Sequence, residues 1–156
     1  MFKFCQNNVL TIFFKKFLNE HFNQNPDLNF YNYQIRLCNR IKENTKKGHD
    51  FAARVFAVKK TGATPLSNRA INYVFSSNNE IGFNSPSPYT KKSIDNVLAS
   101  TKNNLNEWVT VKTNVKEDFK RFHDLDVDEL DGLAIMSDNS KMKAIAYYQN
   151  IYFSKN

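Results

Sequence analysis

Two groups of residues in this sequence have types and spacing that could do chemistry. The first is the acidic run at 123–131, with Asp124, Asp126, Asp128, Glu129 and Asp131 following His123. Hard divalent cations such as Mg²⁺ or Ca²⁺ take several oxygen ligands at one point, so Asp124, Asp126, Asp128 and Asp131 are the metal-ligand set this sequence offers. The calcium-loop template does not fit them. Counting from Asp124, the position that demands Gly is Glu129, and the twelfth position, which demands a bidentate acid, is Ile135. A solvated acidic turn that caps the hairpin or pairs with the basic half of the chain is the simpler reading.

The second group is basic: Lys42, Lys46, Lys47, Arg54, Lys59, Lys60 and Arg69, with Tyr31, Tyr33 and Tyr73 nearby in sequence. Lysine and arginine on one face neutralise phosphates, and exposed aromatic rings stack on unpaired bases. Charge partition supports this reading. The net charge is +7, and residues 1–78 hold 12 Lys and Arg against 4 Asp and Glu, whereas residues 79–156 hold 10 against 11. A basic half of this kind attracts polyanions or acidic protein surfaces at long range. No helix-turn-helix, RNP or zinc-finger pattern accompanies it.

Other catalytic signatures are missing. His21, His49 and His123 have no Cys, His or Glu at zinc-ligand spacing. There is no Gly-x-Ser-x-Gly elbow, and the four glycines, Gly48, Gly62, Gly82 and Gly132, are too far apart for a phosphate loop. The segment Glu-Leu-Asp-Gly-Leu-Ala-Ile at 129–135 loosely resembles the first part of a restriction-endonuclease-type centre. Its second part should fall at 144–148, which reads Ala-Ile-Ala-Tyr-Tyr and supplies neither the second carboxylate nor the lysine. The resemblance therefore implies no working centre.

The elements that must position these residues are read from periodicity. Residues 8–22 place Val9, Ile12, Phe13 and Phe17 on one helical stripe, and 30–44 place Tyr33, Leu37 and Ile41 likewise, which predicts two N-terminal helices. The second stops at Gly48. Strands are predicted around 51–60, 70–75 and 108–111. Ser76 to Pro88 reads as a surface loop or internal crossover. A third helix is predicted at 91–103 from Ile94, Val97 and Leu98, with Thr90 and Ser93 as partial caps, and a fourth at 116–123. Strands at 132–136 and 142–153, joined by a Ser-Asp-Asn-Ser turn, predict a closing β-hairpin.

The expectation is a single domain over 1–156 of the α+β class. It comprises a mostly antiparallel sheet of about five strands, two N-terminal helices, one or two further helices, and a terminal hairpin. The most apolar early stretch, at 10–14, is far short of the roughly 18 residues of a membrane span and is also too short for a signal-peptide core, so a cytoplasmic protein without a membrane partner is expected. Cys5 and Cys38 have no Cys-x-x-Cys spacing and read as buried thiols. The 22 dispersed asparagines, with abundant Lys and Phe, suggest an AT-rich coding sequence. No cofactor is expected. The functional expectation is a small non-enzymatic binding protein that acts on nucleic acid or on a complex that handles it, such as a phage or plasmid inhibitor of a host system. The rival is a metal-dependent phosphodiester-cleaving enzyme built on the acids at 124–131.

Overall fold

The computed structural model describes residues 2–3, 8–18, 46, 51, 53–100, 108–136 and 144–155, with side chains for Leu10, Lys46, Phe51 and the stretches 53–100, 108–136 and 146–153. Ten strands and one α-helix are found among them. In chain order the strands are β1 (Phe2–Lys3), β2 (Asn8–Leu18), β3 (Ala53–Lys59), β4 (Arg69–Ser76), β5 (Asn84–Pro86), β6 (Ser93–Ser100), β7 (Trp108–Asn114), β8 (Glu129–Leu130), β9 (Gly132–Met136) and β10 (Ala144–Lys155). The helix α1 (Val115–His123) follows β7 directly.

Three sheets form: β5-β6-β4-β3-β9, β10-β2-β7 and the short pair β1-β8. In the largest, β4 and β6 run parallel and the other neighbours antiparallel. A parallel pair needs a crossover, and the Ser- and Pro-rich stretch after β4 supplies it, turning at Gly82 (φ 88°) and laying β5 along the sheet edge. Pro86 sits in that edge strand, where a missing N–H costs least.

Alternation along the strands divides the large sheet into two faces. Ala53, Val55 and Ala57 of β3 and Ile71, Tyr73 and Phe75 of β4 point into the main core, with Leu10 of β2, Val111 of β7, and Val115 and Phe119 of α1. One core therefore joins the large sheet, the three-stranded sheet and the helix. The opposite face of the large sheet carries Arg54, Phe56, Asn72, Val74, Asp95 and Val97, and has only a small apolar cluster, Phe51, Val74 and Val97.

Helix α1 is delimited by its own residues. The Asn114 side chain accepts the Glu117 backbone N–H and donates to the Glu117 carboxylate, a reciprocal N-cap. At the other end Asp124 takes a left-handed conformation (φ 52°), and its N–H closes on the Lys120 carbonyl.

The expected α+β architecture is corrected by these observations: the chain is mostly sheet with one helix among the described residues. Residues 8–18 are a strand, because β2 lies between β10 and β7 and satisfies its backbone on both sides. Val9, Thr11, Ile12, Phe13 and Phe14 are β-branched or aromatic, types that a pleated strand accommodates well. The expected helix at 30–44 lies outside the described residues. The expected helix at 91–103 is β6 over Ser93–Ser100, buried on both faces. The helix at 116–123 is present as α1.

The closing hairpin is also corrected. Both strands form, but β9 pairs with β3 and β10 pairs with β2. What links them is a side chain. The Tyr148 hydroxyl of β10 accepts the Arg54 backbone N–H at 2.8 Å and donates to the Met136 carbonyl at 2.8 Å, tying the two sheets together at that edge. Burial raises the Tyr148 pKa, so this hydroxyl stays protonated. Tyr148→Phe should lower stability by about 1 kcal/mol. Hydrogen exchange is the sharper measurement, since the Arg54 amide should lose protection while amides in the middle of β4 keep theirs.

Candidate functional site

The acidic run does not converge. Asp124 and Asp126 both pair with Lys120, at 2.9 and 3.1 Å, Asp128 pairs with Lys116 at 2.7 Å, and Asp131 pairs with Lys59 at 3.3 Å. These are three separate ammonium groups on two elements. Asp131 also accepts the Lys60 backbone N–H at 2.8 Å, which holds its carboxyl below the usual range. The hydrogen bond from Lys116 does the same for Asp128. No three His, Cys, Asp or Glu residues come together in a metal-binding group among the described residues. The Asp side chains follow the helix exit and the β8–β9 edge, where each meets the nearest lysine.

The basic set is split. Lys59 pairs with Glu129 and Asp131, so part of the expected phosphate-binding charge is neutralised by the expected metal site. Lys60 is exposed, and Arg69 is half-buried and donates to the Ser67 carbonyl at 3.1 Å. Lys42 and Lys47 lie outside the described residues, as do Tyr31 and Tyr33, His21 and His49, and Cys5 and Cys38. Tyr73 offers no stacking surface: it is wholly buried, and its hydroxyl donates to Asp118 at 2.9 Å. His123 is placed structurally, with Nε2 3.0 Å from the Ala70 carbonyl, and burial lowers its pKa.

Arg54 stands apart. It occupies the second face of the large sheet, only 2% exposed, with its guanidinium 5.1 Å from the centre of the Phe51 ring. Arg54, Phe56, Ala70, Ser93 and Met136 form the floor of a pocket of about 570 Å³. That volume is in the range of small-ligand sites, which run from about 300 to 1,000 Å³.

Two walls rise from this floor. One is the short 3-10 turn Pro65–Ser67 with Asn68, held by the Ser67 hydroxyl on the Thr64 carbonyl at 2.6 Å and by the Thr61 hydroxyl on the Ser67 carbonyl. The other is the Ser87 to Ser93 loop, closed by Ser87 N–H on the Ser93 carbonyl at 2.8 Å and Thr90 N–H on the Ser87 carbonyl at 3.2 Å. Lys92 joins the walls, its ammonium donating to the Leu66 carbonyl at 2.6 Å. Leu66 and Tyr89 stand at the rim, 83% and 64% exposed. The Tyr89 hydroxyl donates to the Lys46 carbonyl at 3.2 Å, which brings an exposed turn of the basic tract to the pocket mouth.

Among the described residues the lining holds two cationic side chains, Arg54 and Lys92, no carboxylate, the rings of Phe56 and Tyr89, and hydroxyl or amide groups from Asn68, Ser87, Thr90 and Ser93. One step further along the strands, the buried Asn72 amide donates to Asp95 Oδ1 at 2.6 Å. Asn72, Asp95 and Ser85 form one row across β4, β6 and β5. Asn72 Oδ1 and Ser85 Oγ are buried with no hydrogen-bond partner. Burying such groups costs free energy, so stability alone does not account for this face.

Of the residues expected from the sequence, the structure brings Arg54 to this pocket and Lys46 to its edge. Asn68, Asn72, Tyr89, Thr90, Lys92 and Asp95 were missed. A signal for two of them exists: Asn72 interrupts Ala-Ile-Asn-Tyr-Val-Phe, and Asp95-Asn96 interrupt Ser-Ile-Asp-Asn-Val-Leu, polar residues in otherwise apolar strands.

Among the described residues, no helix is long and apolar enough to cross a membrane. Comparison with curated proteins and with solved structures gives no match. A family model does match, over residues 18–152, a span that includes every residue lining the pocket. On that match the chain belongs to the family described as protein of unknown function DUF3047.

Proposed function

We propose that this protein is a non-enzymatic binding protein that takes a nucleic-acid strand at the Arg54 pocket. The observation that carries the reading is the pocket lining: among the described residues it includes Arg54 and Lys92, no carboxylate, and two aromatic rings in one concave site. Arginine and lysine meet phosphate oxygens, and rings meet bases. The Lys46 turn, joined to Tyr89, adds positive charge at the mouth, where it steers a polyanion inward. The surface formed by Lys59 with Glu129 and Asp131 carries two carboxylates against one ammonium and contributes nothing to such steering.

Fluorescence anisotropy with labelled single-stranded oligonucleotides is the test. Binding is expected at low salt and should weaken steadily as salt rises. Lys92→Glu should weaken it by about tenfold and flatten the salt dependence by roughly one counterion. Failure of every oligonucleotide to bind at low salt ends this reading and leaves a protein that handles nucleic acid as the partner class.

A further inference from the structure

We propose that the outward face of the β10-β2-β7 sheet is a stacking platform for the bases of a single-stranded nucleic acid, separate from the Arg54 pocket. Its rings are Trp108, Tyr147 and Tyr152, and Lys112 stands beside them.

Strand register brings these residues together. Lys15 of β2 pairs with both Tyr147 of β10 and Trp108 of β7, and four residues earlier Thr11 pairs with both Tyr152 and Lys112. Between them, Phe13 pairs with Gln149 and Thr110. Thr11, Phe13 and Lys15 are alternate residues of one strand, so their partners share one face of the sheet. That face is turned away from the core, on which Val109, Val111, Tyr148, Ile151 and Phe153 pack from the other side. Trp108, Tyr147 and Tyr152 are each 47% exposed, and Thr110, Lys112 and Gln149 are exposed with them. By strand spacing, Tyr147 and Trp108 stand about 10 Å apart across the sheet, and Tyr152 about 13 Å from Tyr147 along it.

Tyr152 reaches this face through a bulge. It is separated from Tyr147 by an odd number of residues, which in a regular strand puts the two on opposite faces. The register of β10 shifts between Gln149 and Tyr152, and Asn150 takes a left-handed conformation (φ 51°). Ile151 therefore turns to the core and Tyr152 outward, where a regular strand would have done the reverse. Bulges that re-aim a side chain in this way are over-represented beside functional sites.

Charge selects the partner. The three strands carry Lys15, Lys16, Lys112 and Lys155 and no Asp or Glu. An exposed aromatic face with this balance suits a polyanion that also offers flat apolar groups: lysines meet the phosphates, and Trp and Tyr rings stack on bases. A duplex hides the faces of its bases, so the strand must be single.

The experiment uses the one tryptophan of the chain, Trp108, as its reporter. The core and the large sheet separate it from the pocket, so its fluorescence reads this face alone. Titration with a short oligothymidylate at low salt should quench Trp108, and raising the salt should reverse the quench. Tyr152→Ala should weaken this binding by about tenfold, the effect of one lost stacking partner. Lys112→Gln should lower the salt dependence by about one counterion. Both side chains are exposed, and an unchanged Trp108 spectrum without ligand checks that the variants fold. Lys92→Glu, in the pocket wall, should leave the quench as it is.

Oligonucleotide binding detected by anisotropy with no response from Trp108 overturns the inference and leaves the pocket reading standing. A quench that neither Tyr152→Ala nor Lys112→Gln alters overturns it as well. If the quench behaves as expected and Lys92→Glu also leaves the anisotropy unchanged, the inference holds and the pocket reading falls. If no oligonucleotide binds, both fall, and this face belongs to a partner of another class.

Discussion

Phe119→Ala is expected to lower the free energy of unfolding by about 3–5 kcal/mol, the usual cost of truncating a buried phenylalanine. Phe119 is fully buried in α1, in the cluster that also contains Leu10 of β2, Val55 of β3, Tyr73 of β4 and Val111 of β7. Its ring is therefore a contact that two sheets and the helix share. No single strand can close the resulting void, because each is fixed by backbone pairing to its neighbours. For a domain with a typical stability of about 5–15 kcal/mol, this loss is a large fraction of the total. Urea denaturation measures it. A loss below about 1 kcal/mol would mean that the helix does not seal the space between the sheets.

Asp118→Ala should cost about 3 kcal/mol for a different reason. The Asp118 carboxylate accepts the Tyr73 hydroxyl at 2.9 Å and the Thr113 hydroxyl at 2.6 Å, joining α1 to β4 and β7. Without it, the Tyr73 hydroxyl is buried with no acceptor, and that is the expensive outcome. Tyr73→Phe removes the donor as well, so the double variant should be less destabilised than the sum of the two single variants, by about 1–2 kcal/mol.

The same carboxyl gives a pH signature. Burial raises the Asp118 pKa above the ordinary 3.8, against the lowering effect of the Thr113 and Tyr73 hydrogen bonds. The folded protein then holds this proton more tightly than the unfolded chain. Its contribution is greatest below pH 3.8 and is lost as pH rises through the higher folded value. Asp118→Asn removes the titration. The stability of that variant relative to the parent should therefore increase as pH rises from about 3.8 and level off above the folded pKa. A difference independent of pH would place Asp118 in contact with water.

How far the sequence carries depends on which signals are local. The helix at Val115–His123 was legible because Phe119 and Phe122 recur at helical spacing, and the structure adds the Asn114–Glu117 cap and the Asp124 exit, all within a few residues. The strands β3, β4, β7 and β9 were legible because short β-branched and aromatic runs end in turns. By contrast, the apolar residues of 8–18 fit a helical stripe and a strand equally well, and only the flanking strands β7 and β10 decide between them. At β6 the helical spacing of Ile94, Val97 and Leu98 is incidental, because the strand is buried on both faces and shows no alternation.

The candidate site follows the same division. Residue chemistry alone singled out Arg54 and the acids at 124–131, since charge and spacing can be read along a chain. Only the tertiary structure separates them: helix and edge lysines neutralise the acids, while strand alternation sends Arg54 to the opposite face. It also places Lys92 and Tyr89 beside Arg54 across about 35 residues of chain, through a parallel β4–β6 crossover that no local pattern announces. Sequence determines what each segment can bury and which charges it carries. Long-range backbone pairing decides which segments share a face, because those hydrogen bonds look the same whatever side chains stand above them.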